Sequence, residues 1–437
     1  MAKDNFVWIQ EAMDKAEKSS EEGLEVSVRG WVYRERGSNK NKFIVLRDSS
    51  NTIQCVLKRE NLESKWEEID KIRMESSVEI HGTIKQDSRA PTDYEIQVSD
   101  INIVGFSEDF PINEDLNEQQ LGDRRHLWLR SRKMTSALKV RSTVLFALHE
   151  YIRSQDFVEV EAPSLTGSTS EGGSETFEVK YFDKKAALTQ SWQFYAENII
   201  NAIERAYAMA PSFRAEKSKT PWHVTEFWHF EVEAAWANLN DIIEWAEGCI
   251  KHVCEKVLKE NKKDLENLGA DTEKLERVKN KFKVVTYDEA IKVLQEQGHS
   301  IEYGQDFGSH EERGLAEHYD KNFVFVTNYP LEILKFYHGE DSEKPGTSTN
   351  FNLLAPKIGE VVDGSRREMD LERIRQRLEK EEIDLGKSDW YLDSRRYGSV
   401  PHAGFGMGVE RFVAWICDLD TIKDAIAFPR TPTRLNP

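Results

Sequence analysis

Cysteine is scarce in this sequence of 437 residues, and its four cysteines form no CxxC pair. Scattered cysteines of this kind (Cys55, Cys249, Cys254 and Cys417) predict reduced thiols in a protein core and argue against a disulfide framework or a zinc ribbon. Long apolar runs are missing as well: none approaches the roughly 18 residues of a membrane span, and the N-terminus lacks the apolar core of a secretion signal. We therefore expect a cytoplasmic protein with no membrane partner.

Positive charge is in deficit too, because the formal net charge at pH 7 is −18. This balance argues against loose, charge-driven binding to nucleic acids or anionic membranes, although a local basic patch is compatible with it. Internal repeats and low-complexity tracts are also absent from the sequence. What is present is a length that favours two domains and a composition, 39% hydrophobic and 10% aromatic, that suits globular packing.

The pattern of apolar residues changes along the chain. Residues 1–110 are predicted to form an OB-fold β-barrel, because about five short segments between 25 and 106 alternate apolar and polar positions between turn clusters. The polar residues 111–134 predict a hinge. Residues 135–437 mix strand and helix patterns without the regular alternation of a Rossmann fold, so we expect an α+β protein. The charge-rich residues 255–284 are expected to form a solvated helical excursion.

The stretch SFRAEKSK places Arg214 and Glu216 at strand spacing, so that both side chains point to one face. An arginine fork suits a phosphate or a carboxylate, and a glutamate beside it can accept hydrogen bonds from a polar ligand. The polar loop 217–222 would close over such a ligand. A surface ion pair at the root of a hairpin is the alternative that these residues alone leave open.

The stretch IGEVVDGSRRE brings Glu360 and Asp363 close in sequence to the basic pair Arg366 and Arg367. Two carboxylates beside two guanidinium groups fit a Mg²⁺–phosphate site, since Mg²⁺ prefers oxygen ligands and shares them with phosphates. A charged turn with ordinary salt bridges is the alternative.

Glycines alternate in GFGMGVERF, at Gly404, Gly406 and Gly408, ahead of Glu410 and Arg411 at a predicted helix start. Small residues permit a close approach of the backbone to a ligand, and Arg411 can reach the phosphates of a nucleotide. The stretch is neither a P-loop nor a Rossmann fingerprint, so a tight turn packed against a sheet is the alternative.

Two more stretches supply the small, polar and amide groups that suit a ligand the size of an amino acid. They are SEGGSETF at 170–177 and LTQSWQFYAE at 188–197, with Glu171 and Gln190 as candidates. Alone, each is an ordinary loop or strand.

Taken together and in this order, these stretches resemble the class II aminoacyl-tRNA synthetases, and in particular the archaeal-type asparaginyl members of the aspartyl/asparaginyl branch. FVEVEAPSLTGSTSEGGSETF is similar to motif 1 and its following loop, SFRAEKSKTPWHVTEFW to motif 2, and GFGMGVERF to motif 3. The resemblance covers nearly the whole chain. It implies an antiparallel sheet flanked by helices, a homodimer formed through motif 1, and the use of ATP and Mg²⁺ to join an amino acid to tRNA.

The resemblance also implies roles for single residues. Arg214 would bind the α-phosphate of ATP and the amino-acid carboxylate, Glu216 would hold the adenine side, and Phe227 would stack on adenine. His223 would approach the terminal phosphates and Arg411 would clamp the γ-phosphate; Arg214, Glu216 and Arg411 are the catalytic candidates. The implied ATP site is completed by Glu360, Gly408 and Glu410, the implied metal ligands are Glu360 and Asp363, and the implied amino-acid site is Glu171, Gln190, Trp192, Gln193, Arg214, Asp363 and Arg367.

The predicted barrel resembles the anticodon-binding OB-fold of the same family, through the stretch KFIVLRDSSNTIQCV. Phe43 is the stacking candidate, and Arg47 and Gln54 can read base edges, since single-stranded loops expose both base faces and base edges. Without the resemblance, Phe43 would be interpreted as a core residue. A basic face that includes Arg124, Arg125, Arg130 and Arg132 would support tRNA binding.

Six positions depart from the family pattern around the expected pocket. A large or apolar residue occurs where the family has a small or basic one, an amide where it has a carboxylate, and charges where it has neutral groups: Trp192, Trp222, Leu334, Asn352, Asp363 and Arg366. We infer that a metal-binding carboxylate has moved from position 352 to 363. Two functions stay open: activation of asparagine and its transfer to tRNA(Asn), or adenylation of aspartate or another amino acid for a non-tRNA acceptor such as ammonia or an amine.

Overall fold

A computed structural model describes residues 6–19, 23–167, 176–218, 220–382 and 385–437. The chain divides into two compact units, Met1–Leu116 and Asn117–Pro437, so the division falls within the segment predicted as a hinge. Among the helices of the described residues, none is long and apolar enough to cross a membrane. All four cysteines are buried free thiols.

The first unit is a closed barrel in which the strand order is β1-β2-β3-β5-β4. Alternate residues point inward, as in β2, where Ile44 and Leu46 are fully buried and Phe43 and Val45 face outward. Strand pairing is antiparallel except between β3 and β5. The strands are Leu24–Gly37, Asn41–Arg47, Thr52–Lys58, Ser77–Gln86 and Tyr94–Gly105, and the helices α1 to α3 are Ile9–Lys18, Arg59–Leu62 and Trp66–Asp70. The predicted OB-fold is confirmed.

The second unit is built on an eight-stranded sheet whose order is β12-β13-β14-β15-β16-β11-β10-β6. Its centre is antiparallel, as predicted, and the two edge pairs, β12–β13 and β10–β6, are parallel. The strands of this unit, three of which (β7, β9, β8) form a separate small sheet, are Val158–Glu159, Leu165–Thr166, Glu178–Tyr181, Lys184–Leu188, Arg205–Phe213, Glu226–Ala235, Lys283–Thr286, Val324–Thr327, Asn350–Ala355, Gly359–Arg366 and His402–Gly408 (β6 to β16).

Helices cover one face of this sheet and leave the middle of the other face to the polar groups described below. The buried faces of α6, α8 and α15 form one core with β11, β15 and β16. Side-chain caps at Ser131 and Asn238 begin α6 and α8. The helices α4 to α15 are Glu118–Asp123, Arg125–Trp128, Arg132–Ser154, Gln193–Ile203, Leu239–Glu260, Lys262–Leu268, Thr272–Arg277, Tyr287–Glu296, Ser309–His318, Leu371–Lys380, Leu385–Arg396 and Val409–Cys417.

Two expectations about charged segments were wrong. The charge-rich stretch packs on the core through Leu265, Leu275 and Val278, because its apolar residues recur at helical spacing between the charges. Arg125 does not belong to a basic face: it is 2% exposed and donates hydrogen bonds to the carboxylate of Asp424 and to three backbone carbonyl groups. A guanidinium group with five donors suits the capping of carbonyl groups in a buried turn.

Candidate active site

Strand β11 supplies the polar floor of the site by alternation. Phe230, Val232 and Ala234 pack in the core, so His229 and Glu231, with Glu233 beyond them, lie on the opposite face. These three polar side chains are nevertheless buried. Two adjoining pockets lie over this face and share three lining residues, which are Arg214, His229 and Asp363. We call them the inner and the outer pocket.

Glycines of β16 make room for the buried charges. Glu233 lies opposite Gly404, and a Cβ atom at position 404 would come 2.0 Å from the Glu233 Oε2 atom. A Cβ atom at Gly406 would come 2.6 Å from Nε2 of His229. The sequence predicts that these glycines let the backbone approach a ligand. In the structure, Gly404 and Gly406 instead leave room for the side chains of Glu233 and His229.

The inner pocket, of about 390 Å³ with its mouth included, contains a buried ion pair. Arg367 donates to both carboxylate oxygens of Glu233, with N–O distances of 2.8 to 3.3 Å, and to Ser365 Oγ at 2.9 Å. The Glu233 carboxylate raises the pKa of Arg367 against the effect of burial. Two parallel donors on one carboxylate fix the orientation of both groups.

A second pair, His229 and Glu231, lies beside the first. His229 Nδ1 is 3.4 Å from a Glu231 carboxylate oxygen, and Glu231 also accepts hydrogen bonds from the Ser191 hydroxyl and, at 2.8 Å, from the backbone N–H of Trp192. Burial opposes ionisation of both groups, but Glu231 raises the pKa of His229, and His229 with these donors lowers the pKa of Glu231. Each group therefore favours the charged form of the other, and Glu231 holds the turn before α7.

Glu197 of α7 forms a third buried cluster behind the inner pocket. Its carboxylate accepts hydrogen bonds from Arg395, from Tyr391 at 2.8 Å and from Gln193 at 2.9 Å, and lies 3.1 Å from His402 Nε2. Burial opposes its ionisation, but Arg395 and His402 hold the pKa of Glu197 below its usual value. Gln193, which lines the inner pocket, is thereby fixed in orientation.

The outer pocket, of about 830 Å³ with its mouth included, contains most of the residues predicted for ATP. Arg214 follows the end of β10, so it and Glu216 do not have the predicted strand conformation. The Arg214 backbone N–H donates to the Thr225 carbonyl, which closes the root of the β10–β11 hairpin. Its guanidinium group lies over the Phe227 ring, 5.3 Å from the centroid. Glu216 and His223 line the same wall; burial lowers the pKa of His223, and Arg411 and Arg214 lower it further.

Carboxylates crowd the far wall of the outer pocket. Asp363 pairs across the strands with Asn352, whose amide donates to the Glu360 carboxylate at 2.8 Å. Glu312 of α12 accepts the backbone N–H of Glu360 at 3.1 Å. Burial raises the pKa of Glu360 to about 8, with Asp363 and Glu312 adding to the shift, and burial raises the pKa of Glu312 to about 7. Like charges this close favour a cation between them.

Helix α15 begins at this wall. Gly408 is its N-cap residue, and Arg411 donates to the Glu360 carbonyl at 2.9 Å and lies 3.6 Å from the Glu360 carboxylate. Glu410 is 1% exposed and is paired with Arg141 at 2.8 Å, while it accepts the Trp228 N–H at 3.0 Å. Glu410, which also lines the outer pocket, therefore positions the start of the helix.

Several predicted residues lie apart from the pockets. Gln190 is buried and is not among the described residues that line either pocket. Leu334 lines a separate groove with Tyr303 and Arg377. Arg366 contacts Met369. Glu171 lies outside the described residues. Of the six positions that depart from the family pattern, Trp192 and Asp363 line the inner pocket, and Trp222 and Asp363 line the outer one.

Sequence reasoning missed several groups that the fold brings into the site, which are Ser191, His229, Glu231, Glu233, Glu312 and Tyr337. The alternation of polar residues in FWHFEVE was the available signal for three of them, because every second residue of a strand shares a face. Glu312 gave no signal, since it lies 48 residues before Glu360 in a charged helix.

Of the residues predicted to bind nucleic acid, Phe43 and Arg47 are partly exposed on the barrel, whereas Gln54 is buried and donates to the Glu95 carboxylate. Phe43 lies under the Arg36 guanidinium group, 5.3 Å from the ring centroid, and Arg36 also donates to Gln54. Arg47 is held by the Glu75 carboxylate at 2.7 Å and lies over Trp31, which is 45% exposed. Partly exposed rings beside guanidinium groups are what single-stranded nucleic acids use as stacking platforms.

Comparison with known proteins agrees with these features. A family model described as tRNA synthetases class II (D, K and N) matches residues 117–432, and one described as OB-fold nucleic acid binding domain matches residues 26–104. The chain is 42% identical to the asparagine–tRNA ligase of Thermoplasma acidophilum, over 95% of this chain and 97% of that one. It is 44% identical to the asparagine–tRNA ligase of Thermococcus gammatolerans, over 96% and 98%.

Solved structures give the same result. The crystal structure of asparaginyl-tRNA synthetase from Pyrococcus horikoshii complexed with asparaginyl-adenylate matches with a TM-score of 0.94 and 40% identity, covering 99% of both chains. The asparaginyl-tRNA synthetase of Entamoeba histolytica in complex with asparaginyl-adenylate matches with a TM-score of 0.86 and 28% identity. The resemblance predicted from the motifs is confirmed.

Proposed function

This chain belongs to the class II tRNA synthetases for aspartate, lysine and asparagine, and we propose that it is an asparagine–tRNA ligase. It activates asparagine with ATP to asparaginyl-adenylate and pyrophosphate, and then transfers the asparaginyl group to the 3′-terminal ribose of tRNA(Asn). The observation that carries this proposal is the inner pocket, where Arg214, Glu233 and Arg367 meet in a chain matched over 95% of its length by an asparagine–tRNA ligase.

Activation requires positioning rather than covalent help from the protein. The asparagine carboxylate attacks the α-phosphorus of ATP, and pyrophosphate leaves in line. Arg214 lines both pockets, so it would bind the amino-acid carboxylate and the α-phosphate and neutralise charge as they approach. Phe227 and Glu216 would hold adenine, and His223 and Arg411 the outer phosphates.

The side-chain amide of asparagine suits the buried charges of the inner pocket. An amide offers one carbonyl acceptor and two N–H donors, which can meet Arg367 and a glutamate at once. Aspartate would place a second negative charge beside Glu231 and Glu233, which is unfavourable at low dielectric. The buried charges of Arg367, Glu231 and Glu233 therefore favour asparagine over aspartate.

Glu360 and Asp363 fit a Mg²⁺ ion by their chemistry, because both are oxygen donors and the wall that contains them has an excess of carboxylates. When bound, Mg²⁺ would supply positive charge to the phosphate oxygens. Glu312 would support the site from behind, through its contact with the Glu360 backbone. Asn352 would orient Glu360, which agrees with the inferred move of a carboxylate from 352 to the facing position 363.

The barrel would bind the anticodon loop of tRNA, with Phe43 stacking on a base. The Asp48–Asn51 turn beside Arg47 is ordered by hydrogen bonds from Ser50 and Asn51 to Asp48.

We further propose a homodimer formed through the segment that resembles motif 1, where Val158 and Leu165 are 48% and 43% exposed. We also propose a cytoplasmic location, where tRNA is charged. Sedimentation of the wild type and of Val158→Glu tests the dimer; a wild-type monomer contradicts it.

The deciding experiment is ATP–pyrophosphate exchange with each standard amino acid, followed by addition of tRNA. We expect exchange with asparagine and then charging of tRNA(Asn). Exchange with another amino acid, or exchange with asparagine but no transfer to tRNA, would favour the paralogue that uses ammonia or an amine as acceptor. The two relatives at 42% and 44% identity do not favour that alternative, because both are named asparagine–tRNA ligase.

A further inference from the structure

A second cluster of metal-ligating side chains lies outside both pockets. His299 occupies the connector between α11 and α12, and His310 and Glu311 occupy the first turn of α12. Among the described residues, those that line the two pockets do not include these three. One ligand atom from each of the three lies within 4.8 Å of the other two.

We propose that His299, His310 and Glu311 form a binding site for one divalent transition-metal ion, with Zn²⁺ as the ion that the donor set fits best. Two imidazoles and a carboxylate are the donors of many three-residue zinc sites, whereas Mg²⁺ and Ca²⁺ select oxygen donors alone. A fourth position would be filled by water, because His310 is exposed.

The spacing of the donors matches a tetrahedral ion. His299 Nδ1 lies 3.1 Å from Glu311 Oε1 and 3.4 Å from His310 Nδ1. In a tetrahedron with metal–nitrogen bonds of about 2.0–2.1 Å, neighbouring ligand atoms are about 3.3 Å apart. Two of the three separations between donor atoms are therefore already those of a tetrahedral ion, and the third is within 4.8 Å.

The ring of His299 is held for this role. Its side chain is 12% exposed, and its backbone N–H donates to Leu294 at 3.0 Å. Its Nε2 atom lies against α12, where a Cβ atom at Gly314 would come 3.4 Å from it, so this side of the ring packs on the helix. Nδ1 is the atom left facing His310 and Glu311.

The two imidazole Nδ1 atoms lie 3.4 Å apart, at the long end of hydrogen-bond distance. In the absence of a metal, one ring must donate a proton to the other, which leaves a hydrogen-bonded polar cluster with Glu311. A metal ion would satisfy both rings and the carboxylate together. It would also tie the connector to the turn of α12 that contains Glu312, the residue that contacts Glu360 at the outer pocket.

The test uses the full-length, tag-free, metal-stripped protein titrated with Co²⁺, which gives visible absorption bands where Zn²⁺ gives none. We expect one equivalent of Co²⁺ to produce the bands of a four-coordinate ion, and Zn²⁺ to displace it and raise Tm. His310→Gln, at an exposed position, should weaken binding by more than the roughly 10- to 100-fold that outer-shell partners cost. His318→Gln, at an exposed position of the same helix, should bind as the wild type does.

Glu360→Gln separates this site from the outer pocket, because it should leave the Co²⁺ bands unchanged. Absence of the bands in the wild type would overturn the proposal, and so would bands of equal strength in both His310→Gln and His299→Gln. Either result is independent of aminoacylation, so the proposed ligase activity would not be affected by it.

Discussion

The inner and the outer pocket treat charge in opposite ways. In the inner pocket, carboxylates are paired with cationic partners inside the protein: Glu233 with Arg367, and Glu231 with His229. In the outer pocket, Glu360, Asp363 and Glu312 lie close together. Burial raises the pKa of Glu360 and of Glu312, and Asp363 and Glu312 raise the pKa of Glu360 further, with Arg411 as the nearby cation. The inner pocket is therefore preorganised before a ligand arrives, whereas the outer pocket is complementary to a ligand that brings cations with it.

Arg214 lines both pockets, so its removal should impair both of them and have the largest effect on activity. We expect Arg214→Ala to reduce asparagine-dependent ATP–pyrophosphate exchange by at least about 10³-fold, or ~4 kcal/mol of transition-state stabilisation. The fold should survive, because Arg214 is at a hairpin root and not in the core. Exchange at the wild-type rate in a folded variant would refute the role of Arg214.

Glu233→Gln tests whether the inner pocket depends on internal pairing. The substitution leaves the buried Arg367 guanidinium group without its counterion, which should cost about 3–5 kcal/mol of unfolding free energy and most of the exchange activity. Urea unfolding measures the first effect. Glu255→Gln, at an exposed position of α8, is the control and should change stability by less than ~0.5 kcal/mol. Equal stability of the two variants would contradict the assignment.

Phe43→Ala should affect neither pocket, because Phe43 lies in the barrel. The variant therefore separates adenylate formation in the pockets from recognition of tRNA. Loss of one stacked base costs about 1–3 kcal/mol, so KM for tRNA(Asn) in aminoacylation should rise roughly tenfold while exchange without tRNA is unchanged. Phe106→Ala, which removes a ring 55% exposed in the same unit, is the matched control. An equal loss of both activities would argue against a role for Phe43 at the anticodon.

The outer pocket should show its excess of carboxylates as a pH dependence. The pKa of Glu360 is about 8 in the folded chain against 4.5 ordinarily, so the folded state holds a proton that the unfolded chain has lost, and metal-free stability should fall as pH rises from about 4.5 to about 8. Mg²⁺ must displace this proton, so its affinity should rise about tenfold per pH unit up to pH ~8. Thermal unfolding measures the stability at each pH, and calorimetric titration measures the Mg²⁺ affinity. Glu360→Gln should flatten both pH profiles.

Asp363→Asn is expected to have the smallest effect. It should raise the Mg²⁺ requirement a few-fold, since one of two direct ligands becomes an amide. The double variant Asn352→Asp with Asp363→Asn returns the carboxylate to the facing position and should restore most of the affinity. If both variants titrate as the wild type does, position 363 is not a metal ligand.

The sequence predicted what depends on local pattern. It located the barrel, because about five short segments alternate apolar and polar positions between turns. It identified Arg214 and Arg411 through motifs. It could not predict Glu312 or the pairing of Glu197 with Arg395, because these contacts join residues 48 and 198 positions apart. Arg125 was misplaced because sequence alone does not separate a guanidinium group that caps buried carbonyl groups from one that faces solvent.

The bare face of β16 limits how this enzyme could be redesigned. Gly404 and Gly406 are already at the minimum of side-chain volume, and the space above them is filled by Glu233 and His229. A larger substrate therefore cannot be admitted by trimming this strand. New room has to come from the opposite wall, at Trp192 or Tyr337, where large rings line the pocket and can be shortened.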